Sequence, residues 1–355
     1  MNNRIFCLKQ RLNALNIDGM IVTNPSNILY LTDLKAEGIL LLTKEENIFL
    51  TDGRYIEDVN NVLSIEDEIT VHDFKDFSED EYEEFFKSCN SVGYEEHYVT
   101  CADYKNLLIR YKVNEFKETE RIIEKLRMVK DESEIDKISK ACKLTDECFN
   151  HLVKYIKIGM TEIEIANETE RFFKENNAVL SFDTIVASGV NSSKPHAVPT
   201  DKKIENGDII TIDMGCKLDG YCSDMTRTIF AGYVRNEYAR IYDLVLKNQE
   251  LVSKQIYAGQ STKILNNFVE NDFRLNGFAL IHALGHGVGL EVHELPFISS
   301  KVDEFLKENT VITNEPGIYI QGQFGVRIED TIVVKKENGI ALTSSSKEYV
   351  IVDEQ

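Results

Sequence analysis

Residues 208–232 read DIITIDMGCKLDGYCSDMTRTIFAG. Apolar and polar residues alternate through DIITIDMG, an Asp-Gly pair follows, and alternation resumes in CSDMTRTIF. Asp-Gly between two alternating runs is a strong signal for a two-residue β-hairpin, because both turn residues must adopt positive φ. With Asp219 and Gly220 at the turn, the register follows: Leu218 opposite Tyr221, Gly215 opposite Asp224, Asp213 opposite Thr226. Side chains alternate along a strand, so Asp213, Gly215, Asp224 and Thr226 share one face. The two aspartates become diagonal neighbours, roughly 7 Å apart at Cβ. Such a pair is either an acidic patch open to solvent or two carboxylates with a proton or cation between them. Cys216 and Cys222 lie in the same hairpin and read as packing residues rather than ligands.

Further along, NEPGIY (314–319) sets Glu315 before a Pro-Gly turn, where the chain reverses and an acid can point into a cleft. FGVRIED (324–330) reads as one strand with Arg327 and Glu329 on a shared face. Each segment alone fits a surface residue equally well. Between hairpin and turn lies HALGHGVGLEVHE (282–294), holding three of the chain's seven histidines. Ala283 and Gly285 rule out the helical zinc-protease arrangement H-E-x-x-H. Gly285, Gly287 and Gly289 suit an irregular loop where backbone passes close to a ligand. LEVHE then alternates like a strand, placing His293 on a face with Glu291 and Gly289. A lone histidine is ordinarily structural; three beside a glycine-rich bend point to a site. His196, in the polar, Pro-bounded loop ASGVNSSKPHAVPTD, reads the same way.

The rest of the chain frames this region. Its 355 residues exceed one ordinary core, and 43% hydrophobic with 28% charged residues describes a globular protein of two domains. The first ~115 residues alternate short apolar runs with helical patterns, an α/β signature: strands DGMIVT (18–23), GILLLT (38–43) and NIFLT (47–51), then a turn at TDGRY. Ile5, Leu8, Leu12 and Leu15 mark an amphipathic N-terminal helix, unlike the unbroken apolar run of a signal peptide. LRMVKDESE interrupts a polar helical segment as a linker, so the boundary falls within 117–130, giving domains 1–120 and 121–355. In the second half, Thr161 is an N-cap for the helix TEIEIANETERFFKENN. Neither half shows an obvious short-period repeat. No run reaches the ~18 apolar residues of a membrane span. A net charge of −20 without a basic stripe argues against nucleic-acid binding. Seven scattered cysteines without a C-x-x-C pair suit a reducing compartment, hence the cytoplasm.

Taken together, D213-x10-D224, H282-x3-H286-x6-H293, E315-P-G and R327-I-E329, in the contexts DMG, GHGVG, HE and EPG, resemble the pita-bread metallopeptidase family of aminopeptidase P, prolidase and methionine aminopeptidase. The resemblance runs from about residue 125 to the C-terminus, and the first domain resembles the α/β domain preceding the peptidase in the proline-specific and creatinase branches. It implies an α/β N-terminal domain followed by an α+β pita-bread domain. It further implies two divalent metals: Asp224 and Glu329 bridging, Asp213 completing one site, His286 and Glu315 the other. Four carboxylates and one imidazole make a hard donor set that suits Mn²⁺ and admits Co²⁺, Zn²⁺ or Fe²⁺. The implied chemistry is hydrolysis by a metal-activated water. Glu315 would shuttle its proton, His293 stabilise the oxyanion, His196 position substrate, and Arg327 orient Glu329 or meet substrate. His282 matches the proline-specific branch rather than methionine aminopeptidase. The expected activity is therefore an Xaa-Pro aminopeptidase acting on proline-containing peptides, with Xaa-Pro dipeptidase (prolidase) as the alternative. A metal-free creatinase-like hydrolase and a non-catalytic pita-bread binding protein would both be expected to lack these ligands. Family members are commonly homodimers.

Overall fold

The computed structural model describes residues 3–64 and 68–353. Two compact units emerge, Met1–Arg127 and Met128–Gln355, dividing past residue 120 but inside the 117–130 window. No helix among the described residues is long and apolar enough to cross a membrane. All seven cysteines are free thiols.

The first unit opens with α1 (Asn3–Ala14), which buries Ile5, Leu8 and Leu12. Leu15, expected on the same stripe, lies past the helix end and is exposed. The apolar runs become β1 (Gly19–Val22), β2 (Gly38–Thr43) and β3 (Asn47–Thr51), joined in one sheet by β4 (Thr70–Asp73), β5 (Ser91–Tyr94) and β6 (Glu115–Glu118) in the order β4-β3-β2-β1-β5-β6. β1, β5 and β6 run parallel, β4 parallels β3, and β2 is antiparallel to both neighbours. Helices α2 (Pro25–Thr32), α3 (Ile56–Val62), α4 (Glu79–Phe86), α5 (Cys101–Tyr111) and α6 (Ile122–Arg127) complete the unit. A core of Ile21, Leu41, Leu50 and Val92 packs against Phe77, Tyr82, Phe86 and Tyr111.

The second unit begins with α7 (Glu132–Tyr155), started by a capping box between Asp131 and Glu134. α8 (Glu162–Glu175) starts at Thr161, whose hydroxyl accepts from the Glu164 N–H. After β7 (Val179–Leu180) and β8 (Ile185–Ser188) comes the hairpin. β9 (Ile209–Met214) pairs with β12 (Met225–Ala231), with Asp213 opposite Thr226; at its tip β10 (Cys216–Leu218) pairs with β11 (Tyr221–Cys222), Leu218 opposite Tyr221. Asp219 and Gly220 have φ of 50° and 89°, as the Asp-Gly turn requires. At Gly215 the ribbon passes from one sheet to another, and a Cβ there would lie 2.0 Å from the Ser223 carbonyl oxygen.

Two more helices follow, α9 (Asn236–Ser253) and α10 (Thr262–Leu275). The remaining strands are β13 (Gly285–Gly287), β14 (Glu294–Ile298), β15 (Val311–Asn314), β16 (Gly317–Ile320), β17 (Phe324–Arg327), β18 (Asp330–Val334), β19 (Gly339–Ala341) and β20 (Ile351–Val352). They form a five-stranded sheet β14-β13-β15-β18-β19 and a ribbon β16-β17, while β20 joins β12, β9 and β8. Apolar residues of α7 and α8 cover the β8-β9-β12-β20 sheet; those of α9 and α10 cover the other.

Three expectations need correction. GHGVG is not an irregular loop: Gly285–Gly287 is a strand between β14 and β15, and a Cβ on Gly285 or Gly287 would lie 2.1 Å or 2.2 Å from a neighbouring carbonyl oxygen. LEVHE is not a strand: residues 290–293 belong to a loop, drawn in where the Glu291 N–H donates to the Glu294 carboxylate, and pairing resumes only at Glu294. FGVRIED is not one strand but two, β17 and β18, in different sheets, with Ile328 and Glu329 between them.

A duplication also emerges. Thr161 and Ser261 cap α8 and α10 with their hydroxyls, each two residues after a glycine of strongly positive φ, Gly159 (95°) and Gly259 (97°). Gly159 N–H donates to the Ile204 carbonyl and Gly259 N–H to the Leu306 carbonyl; Thr161 bridges to Lys203 and Ser261 to Phe305.

Candidate metal centre

Within the second unit, the sheets β20-β12-β9-β8 and β14-β13-β15-β18-β19 meet along β12 and the 326–331 segment. The Glu329 N–H donates to the Thr226 carbonyl (3.1 Å) and the Thr331 hydroxyl to the Asp224 carbonyl (2.7 Å). The Arg227 guanidinium donates to the Asp330 carboxylate at 2.7 Å, both residues being almost wholly buried. This seam brings Asp224, ahead of β12, beside Glu329, ahead of β18. β13 supplies His286 from the same sheet as β15, whose end carries Glu315.

Asp224, His286 and Glu329 each offer a ligand atom, and these atoms lie within 4.8 Å of one another. All three side chains are buried. His286 Nδ1 is 3.1 Å from the Gly287 carbonyl oxygen, which can only accept, so Nδ1 carries the proton and Nε2 a lone pair. That lone pair faces Glu315 Oε1 at 3.3 Å and Asp224 Oδ2 at 3.5 Å. Burial lowers the His286 pKa to about 4, so the ring is neutral and Nε2 carries no proton of its own. Asp213 Oδ1 and Glu329 Oε1 are buried without a hydrogen-bond partner. Buried acceptors are nearly always satisfied, so a lone pair facing carboxylates and two orphaned oxygens fit a divalent cation. The hard, oxygen-rich donor set fits it equally.

In the protein alone, protons are the available counter-charge. Burial raises Asp224 well above the ordinary carboxylate range, reinforced by Glu329, Asp213 and Glu315. Glu329 is raised well above it by burial, then by Glu315 and Asp213. Burial brings Glu315 to about 8.

The other sequence-derived residues line the same cavity, of about 510 Å³. Asp213 is tied aside: Arg327 Nη2 donates to its Oδ2 at 2.7 Å. Arg327 also donates to the Thr226 hydroxyl, the Tyr319 hydroxyl and the Pro195 carbonyl, so it orients Asp213 and the His196 loop rather than Glu329 directly. His282 is neutral, its pKa lowered by burial to about 4; its Nδ1 donates to the Ala283 carbonyl and its Nε2 lies 3.2 Å from the Tyr319 hydroxyl. His293 sets its ring edge-on to His286 with centroids 4.3 Å apart, and its pKa too is lowered by burial. His196 is exposed at the rim. Cys216 and Cys222 are buried, with Sγ contacts to the Ala141 and Leu290 carbonyls, away from the ligand atoms.

Thr226 and Tyr319 escaped the sequence reading. The Thr226 hydroxyl donates to Glu329 Oε2 (2.7 Å) while accepting from Arg327 Nε (3.0 Å), linking the two sheets' acids. Its position opposite Asp213 was the available signal. Glu162 was also missed: fully buried, it accepts from Ser188, Asn191 and Thr200 and pins the loop that presents His196.

Comparison with known proteins agrees with this geometry. Residues 136–336 match Metallopeptidase family M24, and residues 4–129 match the Creatinase/Prolidase N-terminal domain. The chain belongs to metallopeptidase family M24, with the pita-bread catalytic fold behind a creatinase/prolidase N-terminal α/β domain. It is 34% identical to the Xaa-Pro dipeptidase of Pyrococcus furiosus across 99% of this chain and 100% of that protein. The structure of an Xaa-Pro dipeptidase from Bacillus anthracis superposes with a TM-score of 0.94 at 34% identity, covering 98% of this chain and 99% of that one. An X-Pro aminopeptidase from Thermotoga maritima superposes with a TM-score of 0.88 at 32% identity, covering 97% and 100%.

Proposed function

We propose that the protein is an Xaa-Pro dipeptidase, a two-metal hydrolase that cuts between the first residue of a peptide and a following proline. One observation carries the metal part of this reading: the His286 lone pair converges with the buried acids Asp224, Glu315 and Glu329, while Asp213 Oδ1 and Glu329 Oε1 have no hydrogen-bond partner. The proline part is supported by relatives named for that activity at 34% identity over nearly the whole chain. The sequence alone favoured the aminopeptidase form. The same relatives favour the dipeptidase, and aminopeptidase stays as a second reading supported by the Thermotoga structure. A non-catalytic role is opposed by the complete donor set with its unpaired buried oxygens.

In this reading Asp213, Asp224, His286, Glu315 and Glu329 would hold two divalent ions, with Mn²⁺ the best fit to the donors. Bound there, the ions supply Lewis acidity to the attacking water and to the scissile carbonyl. Glu315 takes the water's proton and returns it to the proline nitrogen. That nitrogen carries no hydrogen in the peptide and must gain one to leave. His293 donates to the carbonyl oxygen as negative charge grows on it. His196 positions substrate from the rim, His282 forms the wall against proline, and Arg327 keeps Asp213 in place. We further propose a cytoplasmic homodimer, the compartment supported by seven free thiols.

The test is proline release from Ala-Pro by the Mn²⁺-loaded protein, with Ala-Ala as control. Release from Ala-Pro alone is expected. An intact Ala-Pro in the presence of stoichiometric bound metal would remove the proline assignment and leave the metal site.

A further inference from the structure

One buried ion pair of the second unit has no part in the hydrolysis. Lys130 Nζ lies 3.2 Å from Glu294 Oε2, with the two side chains 1% and 5% exposed. A buried pair of charges seldom stabilises a fold more than apolar packing would, whereas it can fix one arrangement of the groups around it. The arrangement at stake is the loop between β13 and β14. Glu294 pairs with Gly287 across those strands, so residues 288–293 form an excursion that Glu294 closes. Its Oε1 accepts the Glu291 N–H at 3.0 Å, and a Cβ on Gly289 would lie 2.6 Å from its Oε2. The carboxylate therefore stands inside the loop, against the backbone at 289 and 291. Lys130 reaches it from the segment before α7, where the Lys130 N–H donates to the Asn309 carbonyl (3.0 Å) and Val129 bridges to Thr310.

The residue immediately before Glu294 is His293, which lines the catalytic cavity. Its ring stands edge-on to His286, and among the described residues no hydrogen bond holds either of its nitrogens. His282 and His286, by contrast, each have a carbonyl partner that sets the ring. The loop's backbone bonds tie residues 288, 289 and 291, and among the described residues none ties His293. Building on the Xaa-Pro reading above, we propose that Lys130 and Glu294 are positioning residues for His293: their ion pair holds the loop so that the ring meets the substrate carbonyl oxygen. Neither residue lines the catalytic cavity, so both act through His293. The contact to the carbonyl oxygen strengthens as charge grows there in the transition state. Displacing the ring therefore lowers kcat and leaves substrate binding, and with it KM, nearly unchanged.

The experiment uses the full-length, Mn²⁺-loaded protein with Ala-Pro as substrate. Lys130→Met/Glu294→Leu removes both charges together, so neither is left buried without its partner. This paired variant should keep the metal stoichiometry, read by calorimetry, and a melting temperature close to that of the unmodified protein. Its kcat should fall about ten- to a hundredfold, with KM changed less than about twofold. His293→Ala should lower kcat about a hundredfold, and the paired change in that background should lower it no further, because both remove one contact. Hydrogen exchange in the paired variant should quicken in peptides covering 288–294 and stay unchanged in 311–334. An unaltered kcat, or losses that multiply when the changes are combined, would overturn the inference, as would loss of bound metal. Should the paired variant fail to fold, Glu294→Gln, close to Glu in shape, should show a smaller kcat loss that vanishes in the His293→Ala background; no loss, or one that persists there, would overturn the inference equally. If the unmodified protein leaves Ala-Pro intact, the Xaa-Pro reading falls, and unchanged exchange at 288–294 would then overturn the loop-holding role separately.

Discussion

His286 is held in one tautomer by the Gly287 backbone carbonyl, and this small constraint turns its Nε2 lone pair towards the buried acids. The consequence in the metal-free protein is a pH dependence of definite sign. Glu315, at about 8, lies far above an ordinary carboxyl in an unfolded chain, and Asp224 and Glu329 are shifted the same way. The folded state therefore binds more protons than the unfolded one, and this stability is lost as pH rises through the folded pKa values. His282 and His286, at about 4, act oppositely, but their effect is nearly complete above pH ~7.5, where unfolded histidine is almost wholly neutral. The chelated protein should accordingly lose roughly 5 °C in melting temperature between pH 7.5 and 9.5. Saturating Mn²⁺, standing in for the protons, should abolish the slope; a flat profile for the chelated protein would contradict the buried-carboxylate account. Tyr319 allows a second test, because its hydroxyl accepts from Arg327 and meets His282. Tyr319→Phe should leave bound metal at its usual stoichiometry while lowering kcat/KM on Ala-Pro about tenfold, the size of a lost hydrogen bond to a charged group. Loss of metal instead would mean that Tyr319 serves the ligands themselves.

The elements that carry these residues were legible to different degrees, for physical reasons. The hairpin was read in its true register because Asp219-Gly220 fixes the turn, and a fixed turn fixes every pair behind it. Thr161 was legible because capping is a local contact. β13 was not: a strand of three residues, two of them glycine, has no alternation to detect, and its glycines answer to carbonyls of β14 and β15 rather than to a bend. The break inside FGVRIED was hidden because Arg327 and Glu329 keep one facing while the backbone changes sheets; the Thr226 hydroxyl, from another strand, holds both. The duplication of α8 and α10 was equally hidden, since it preserves caps, glycine conformations and backbone bonds while few side chains are shared. The β13 result makes a sharp prediction. A Cβ at position 285 would sit 2.1 Å from the Thr313 carbonyl oxygen, a backbone atom that cannot step aside alone. Gly285→Ala should displace the strand that carries His286, costing about 1–3 kcal/mol and weakening Mn²⁺ binding, both readable by calorimetry. Wild-type metal affinity in that variant would show that β13 tolerates the shift.

At the scale of the molecule, the two units differ in what metal can do for them. Each has its own hydrophobic core, and the first unit's six-stranded sheet supplies none of the candidate ligands. All five candidates come from the second unit, on strands or strand ends, so a bound cation would act as a fastener where β9 and β12 meet β13, β15 and β18. A ligand that binds only the folded state adds stability as RT ln(1 + [L]/Kd), about 4 kcal/mol at a thousandfold excess over Kd. That stabilisation should reach the segments whose opening disrupts the site and bypass those that open without disturbing it. Hydrogen exchange followed by mass spectrometry should therefore show Mn²⁺ slowing peptides from 209–231, 285–298 and 311–334, with residues 19–51 and 91–118 unchanged. Equal slowing of the first unit's strands would mean that the chain opens as one cooperative body. No slowing in the second unit would mean that these acids and His286 hold their places without a metal to reward the arrangement.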